Sequence, residues 1–283
     1  MGRVRGTIRV FAGVTAVEGA GVRIRRAFGV REAVLLDPFL LLDEFGSEDP
    51  ADYRAGFPWH PHRGIETITY MLAGRVEHRD SLGSSGVIGP GEVQWMTAGS
   101  GIIHQEMPVS GETPRLRGFQ LWANLPAERK MTAPRYRAIG AGDIPLVTTP
   151  GGARVKVICG ALDGARGPVR DVATDPTYLD VELPPRGAFA APAPRGRTVF
   201  CYVFEGAARL AEGPVQAGSL VLLGDGDEVC IGATDAGARL LLVAGQPLGE
   251  PIAWWGPIVM SSEDELRAAV ADYHNGTFVR HRG

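Results

Sequence analysis

The residues of this chain best placed to do chemistry fall into two short dyads. One is His60-Pro61-His62, within Phe57-Pro58-Trp59-His60-Pro61-His62-Arg63-Gly64, and the other is His104-Gln105-Glu106, within Gly101-Ile102-Ile103-His104-Gln105-Glu106. On a strand, side chains at i and i+2 leave the same face, so each dyad can aim two donor atoms at one point. Four donors from two strands, His60, His62, His104 and Glu106, make a pocket for one metal ion. A lone His-x-His is more often a solvated turn than a metal site, and it is the second dyad that changes the reading. Only six histidines occur in 283 residues, and three of them sit in these dyads. Pro58 precedes the first dyad, and Gly99 and Gly101 the second, as turn residues do between neighbouring strands of one antiparallel sheet. Glu66, four residues after His62 and of matching strand parity, is a further carboxylate candidate that parity alone does not remove.

Three imidazoles and a carboxylate exclude a closed thiolate zinc site. They suit Fe(II), with Mn, Co, Ni, Cu or Zn as alternative occupants. Four ligands leave up to two octahedral positions open, one for a substrate hydroxyl or enolate and one for dioxygen, which is what a dioxygenase requires. Glu106 is also a candidate catalytic base, able to accept a substrate hydroxyl proton. Phe57, Trp59, Met96, Phe119 and Trp122 flank the dyads and can line a slot for a flat aromatic substrate, although alternate strand residues must mostly be core.

The elements that must hold these residues are strands. Gly 39 and Pro 21 separate short apolar segments along a chain that is 45% hydrophobic, so an all-β fold with a sizeable core and little helix is expected. Ser262-Glu263-Asp264-Glu265 fits a capping box, and Leu266, Ala269, Val270 and Tyr273 follow with helical spacing, which predicts one short C-terminal helix. A net charge of -3 offers no basic field for direct nucleic-acid binding. The run Arg23, Arg25, Arg26, Arg31, interleaved with Val22 and Ile24, reads as the polar face of an edge strand. Cys159, Cys201 and Cys230 lie in apolar segments without Cys-x-x-Cys spacing and are expected to be buried thiols of a reducing compartment. No signal peptide or membrane-length apolar run is visible, so a cytoplasmic protein is expected.

A repeat decides the architecture. Aligning Tyr70-Met71-Leu72-Ala73-Gly74 with Tyr202-Val203-Phe204-Glu205-Gly206 brings His60-Pro61-His62-Arg63-Gly64 over Pro192-Ala193-Pro194-Arg195-Gly196 without a gap. Gly91 then matches Gly218, which puts His104 near Ile231 and Glu106 near Ala233. The second half is a copy of the first from which every ligand is missing. Two tandem double-stranded jelly-roll barrels are expected, 1–140 with the metal and 150–283 without it, joined by the turn-rich stretch from Gly140 to Gly152. Because Arg195 persists in the ligand-free half, Arg63 reads as a structural arginine.

Longer runs around the dyads resemble a known family. Asp37-Pro38-Phe39-Leu40-Leu41-Leu42-Asp43-Glu44-Phe45, His60-Pro61-His62-Arg63-Gly64-Ile65-Glu66-Thr67, Gln94-Trp95-Met96-Thr97-Ala98-Gly99, His104-Gln105-Glu106-Met107-Pro108 and Phe119-Gln120-Leu121-Trp122-Ala123-Asn124-Leu125-Pro126 are similar to the pirins, members of the cupin superfamily. The resemblance covers residues 20 to 130 and the tail Gly256-Pro257-Ile258-Val259-Met260, and is weak in the middle of the second half. It implies a bicupin with one iron in the N-terminal cupin, held by His60, His62, His104 and Glu106, with the carboxylate drawn from the His-x-Glu dyad. Glu66 is then a residue that orients a histidine or a buried ion-pair partner. Some pirin-like proteins act as quercetin 2,3-dioxygenases and others as transcriptional co-regulators. The expected partners are therefore a small aromatic substrate with dioxygen, or, as an iron-binding redox sensor, a protein partner; a monomer is expected.

Overall fold

The structure, a computed structural model, describes residues 2–111 and 114–281. Strands dominate, and among the described residues the one α-helix is Glu263–His274. The chain divides into two compact units whose membership does not follow chain order. One gathers the Thr7–Ala12 strand, Glu32–Pro38 and Gly142–Pro247. The other contains Thr15–Arg31, Phe39–Ala141 and the chain from Leu248 onward, so the C-terminal helix belongs with the histidine dyads.

In the histidine-bearing unit, a seven-stranded sheet runs in the order Arg135–Ile139, Val93–Thr97, Ile65–Ala73, Leu116–Asn124, Phe39–Ser47, Val22–Phe28, Val14–Glu18. A four-stranded sheet faces it, ordered Phe57–His62, Ile102–Val109, Arg75–Asp80, Ser85–Ile88. Alternation sets the faces: Val22 and Ile24 are buried with Phe45, Met71, Val76, Ile88 and Leu116, while Arg23 and Arg25 point outward. The arginine-bearing strand is not an edge, because Val14–Glu18 lies outside it. Arg23 pairs with Asp52 at 3.3 Å, and Arg26 forms a two-pronged bond to Asp43 at 2.9 and 2.8 Å.

The helix starts as its residues dictate. Ser262 Oγ accepts the Glu265 amide, and the Glu265 carboxylate accepts the Ser262 amide, closing the capping box. Leu266 and Ala269 are buried against Ala253, Ile258, Met260 and Phe278. Beneath it Arg63 is 2% exposed, donates to Asp272 at 2.8 Å and to the Phe278 carbonyl at 2.9 Å, and stacks over the Phe278 ring. Its role is structural, as the repeat implied; Arg195 instead lies exposed against Asp227.

The other unit is a nine-stranded sheet curled around apolar side chains, including Ala191, Ala193, Val199, Val203, Val229, Ile231 and Ala233. The backbone carries the mark of the repeat. Gly64 and Gly196 have φ of 80° and 75°, Gly74 and Gly206 of 71° and 62°, and Gly91 and Gly218 of 84° and 85°. Such left-handed turns favour glycine, and at Gly64 a Cβ would lie 1.9 Å from the Val259 carbonyl oxygen. Cys159 and Cys201 are buried as expected, but Cys230 is exposed because it alternates outward between Val229 and Ile231.

Candidate metal centre

The three dyad histidines come together. The Ile102–Val109 strand is central in the small sheet, with His104 directly opposite His60 on one side and opposite Asp80 on the other. Directly opposed residues of antiparallel strands share a face, so all these side chains enter the barrel. His60 and His104 rings have centroids 4.3 Å apart, and His62 and His104 rings 5.0 Å. One donor nitrogen from each of His60, His62 and His104 lies within 4.8 Å of the others.

Hydrogen bonding fixes which nitrogens face inward. His60 Nδ1 lies 2.8 Å from the Pro58 carbonyl and His62 Nδ1 lies 3.1 Å from the Pro257 carbonyl. A carbonyl only accepts, so both Nδ1 atoms carry the proton and both Nε2 atoms present lone pairs. Those Nε2 atoms are 3.1 Å apart. Two lone pairs at that distance repel unless a cation lies between or beside them. His104 adds a third: its Nε2 is buried with no hydrogen-bond partner among the described residues. Burial holds His60 below the ordinary histidine range and His62 and His104 well below it, so the rings are neutral, as metal ligands must be. Three neutral, convergent donors, one of them orphaned, fit a divalent transition-metal ion.

Glu106 stands beside this cluster, inside the barrel. It lies within 4.8 Å of His104 and of a residue the sequence reading missed, His78. Its Oε1 accepts from Thr69 Oγ1 at 2.9 Å and Gln94 Nε2 at 3.0 Å, whereas Oε2 has a long contact from Gln120 Nε2 at 3.4 Å. The register between the Ile102–Val109 and Phe57–His62 strands slips between His104 and Glu106, which sets Glu106 opposite Phe57 and not opposite Pro58. Glu66 is elsewhere. Thr69 reaches Glu106 from the inner face of the Ile65–Ala73 strand, and Glu66, three residues away, leaves by the opposite face. There it is buried, accepts the Thr97 hydroxyl at 2.6 Å, and burial pushes its carboxyl up.

His78 sits opposite Glu106 on the Arg75–Asp80 strand. His78-Arg79-Asp80 is itself an i, i+2 pair, the one signal in the sequence that marked it. The cavity beside the histidines measures about 660 Å³. Of the five aromatic-slot candidates, Phe57, Trp59 and Trp122 line it, while Met96 and Phe119 are wholly buried core. Trp59 is half-exposed, so the cavity reaches solvent. Trp254 from the C-terminal tail joins the wall beside Trp122, and the Trp122 ring meets His62 edge-on at 4.9 Å.

Comparison with known proteins places the chain in a family. The Pirin family model matches residues 21–123 and the model of the Pirin C-terminal cupin domain matches residues 178–279. The chain belongs to the pirin family. It is similar to a pirin-like protein of Caulobacter vibrioides, 48% identical over 277 residues that cover 97% of this chain and 99% of that one. Human pirin is 40% identical over 264 residues, 91% of this chain and 88% of its own. Among solved structures, a quercetin 2,3-dioxygenase from Acinetobacter baumannii superposes with a TM-score of 0.89 at 32% identity, covering 97% of this chain and 98% of that chain. The two barrels are therefore cupins, and this pirin has the two-cupin organisation its repeat implied.

Proposed function

We propose that this pirin is a metal-dependent dioxygenase that opens a flavonol or a similar enolic aromatic with molecular oxygen, and that Fe(II) is its resident metal. The observation that carries the reading is the meeting of three imidazoles, two of which, His60 and His62, line a solvent-reaching aromatic cavity. His60, His62, His104 and Glu106 hold the ion. When bound, it supplies Lewis acidity and electron transfer between an ionised substrate oxygen and dioxygen.

The protein's own groups do the rest. Carbonyls of Pro58 and Pro257 lock the His60 and His62 rings so that Nε2 faces inward. Trp59, Trp122 and Trp254 present flat apolar surface to an aromatic substrate and displace water from it. Glu106 lines the cavity with Oε1 held by Gln94 and Thr69, and its more weakly bonded Oε2 is the atom to take the proton of a substrate hydroxyl. The similarity to a protein described as a quercetin 2,3-dioxygenase supports the choice of flavonol.

The test is anaerobic addition of quercetin to the Fe(II) protein, followed by oxygen. The expected result is a shift of the flavonol absorption as its hydroxyl ionises, then uptake of about one oxygen per flavonol cleaved, with both lost in His62→Ala. An iron-loaded protein that neither perturbs the spectrum nor consumes oxygen with a panel of enolic aromatics overturns the proposal.

A further inference from the structure

The four proposed ligands alone leave unexplained why a fourth histidine and a buried aspartate stand behind His104. His78 is 1% exposed and the Asp80 side chain is fully enclosed. Asp80 Oδ1 accepts the amides of Leu82 at 2.9 Å and Ser84 at 3.0 Å, closing the turn after its strand. Asp80 Oδ2 accepts from His78 Nε2 at 3.0 Å. The carboxylate can only accept here, so the His78 proton is on Nε2 and its Nδ1 is a lone pair.

Two donors converge on that lone pair. Gln94 Nε2 lies 3.3 Å from His78 Nδ1, and its amide is oriented by donating also to Glu106, while its oxygen accepts from Tyr136. His104 Nδ1 lies 3.3 Å away as well. With His78 Nδ1 an acceptor, the proton of His104 must sit on Nδ1, and its Nε2 is left bare toward His60 and His62. Tyr136 stacks on the His78 ring at 4.5 Å and holds its plane.

We propose that Asp80 and His78 are positioning residues that set the tautomer of His104, so that the barrel is built with the His104 Nε2 lone pair already presented. The hydrogen-bond geometry dictates which nitrogen presents its lone pair. The proposal rests on the reading of His104 as a ligand. It differs from the anchoring of His60 and His62, each of which donates directly to a backbone carbonyl. His104 Nδ1 instead meets the His78 ring and depends on a side-chain relay, so its donor state can be inverted by a single remote substitution.

Asp80→Asn is that substitution. The two turn amides require an oxygen at the Oδ1 position, so the new NH2 group must face His78 Nε2. His78 then carries its proton on Nδ1, where Gln94 Nε2 loses its bond to the ring and keeps the one to Glu106; His104 Nδ1 becomes the acceptor, and the His104 proton moves to Nε2, where it blocks coordination. Nitrogen-15 NMR of the histidine side chains in the metal-free protein reads each tautomer directly, and titration with Zn(II) reads affinity. The expected wild-type result is a proton on Nε2 of His78 and on Nδ1 of His104; in Asp80→Asn both invert, and Zn(II) affinity falls about 10- to 100-fold. A wild-type His104 protonated on Nε2 overturns the proposal even if the variant does not fold. So does an Asp80→Asn protein whose tautomers, or whose Zn(II) affinity, match the wild type. His104→Ala separates the two readings: full Zn(II) binding there removes His104 from the ligand set, whatever the tautomers show.

Discussion

At the scale of single residues, the centre depends on imidazoles kept neutral by burial. His62→Ala or His104→Ala removes one donor, and elemental analysis should find most of the metal gone, because the remaining groups bind far less tightly. Glu106→Gln should weaken metal binding more than Glu66→Gln, since Glu66 leaves the strand on the face opposite Thr69 and bonds to Thr97; the reverse order moves the carboxylate ligand to Glu66. Acid has a signed effect on the metal-free protein. The folded state holds His62 and His104 well below their ordinary value of 6.5, so below that pH the unfolded chain binds protons that the folded chain refuses. Stability is then complete above about pH 6.5 and falls as pH drops, by about 1.4 kcal/mol per pH unit for each such histidine until its lowered folded value is reached. Denaturant midpoints between about pH 7.5 and 5.5 check this, and a flat profile contradicts it.

At the scale of elements, the dyads were legible because i, i+2 spacing on a strand has one geometric meaning. The same rule misleads at Glu66. His62 ends one strand in the small sheet, Gly64 turns the corner with φ 80°, and Ile65 begins a strand in the large sheet, so parity counted from His62 to Glu66 crosses a break in the pleat. His78 was passed over for a related reason: Arg75-Val76-Glu77-His78-Arg79-Asp80 is polar on both faces, and an inward polar face is meaningful only once Glu106 and His104 are known to lie opposite it. The capping box, by contrast, is local chemistry and was readable from Ser262 and Glu265 alone. What the helix does was not readable, since Arg63 and Asp272 are 209 positions apart. Asp272→Ala leaves the Arg63 guanidinium enclosed without its carboxylate, and should cost about 2–4 kcal/mol in denaturant unfolding. Conservative Asp272→Glu should recover part of that loss.

At the scale of the whole molecule, the two-cupin organisation was visible in matched glycines. Ala191, Ala193, Val229, Ile231 and Ala233 belong to the apolar core of the second half, and the matched positions Ile231 and Ala233 carry no donor where the first half has His104 and Glu106. Metal stoichiometry should therefore be one ion per chain, and a second ion coordinated by side chains of residues 142–247 would contradict it. The exchange of chain ends between the units left no local mark, because strand pairing at a sheet edge depends on partners some two hundred residues away, as Val10 with Val221. The tail that joins the histidine-bearing unit also brings Trp254 against Trp122, whose ring touches His62 edge-on. Candidate ligand and fluorophore are thus in van der Waals contact, which would give the protein its own optical gauge of metal occupancy. Paramagnetic Ni(II) or Cu(II) added to the stripped protein should dim part of its indole emission at one equivalent, and Trp122→Phe should remove most of that response. Loading could then be followed in milliseconds, without label or substrate, by light alone.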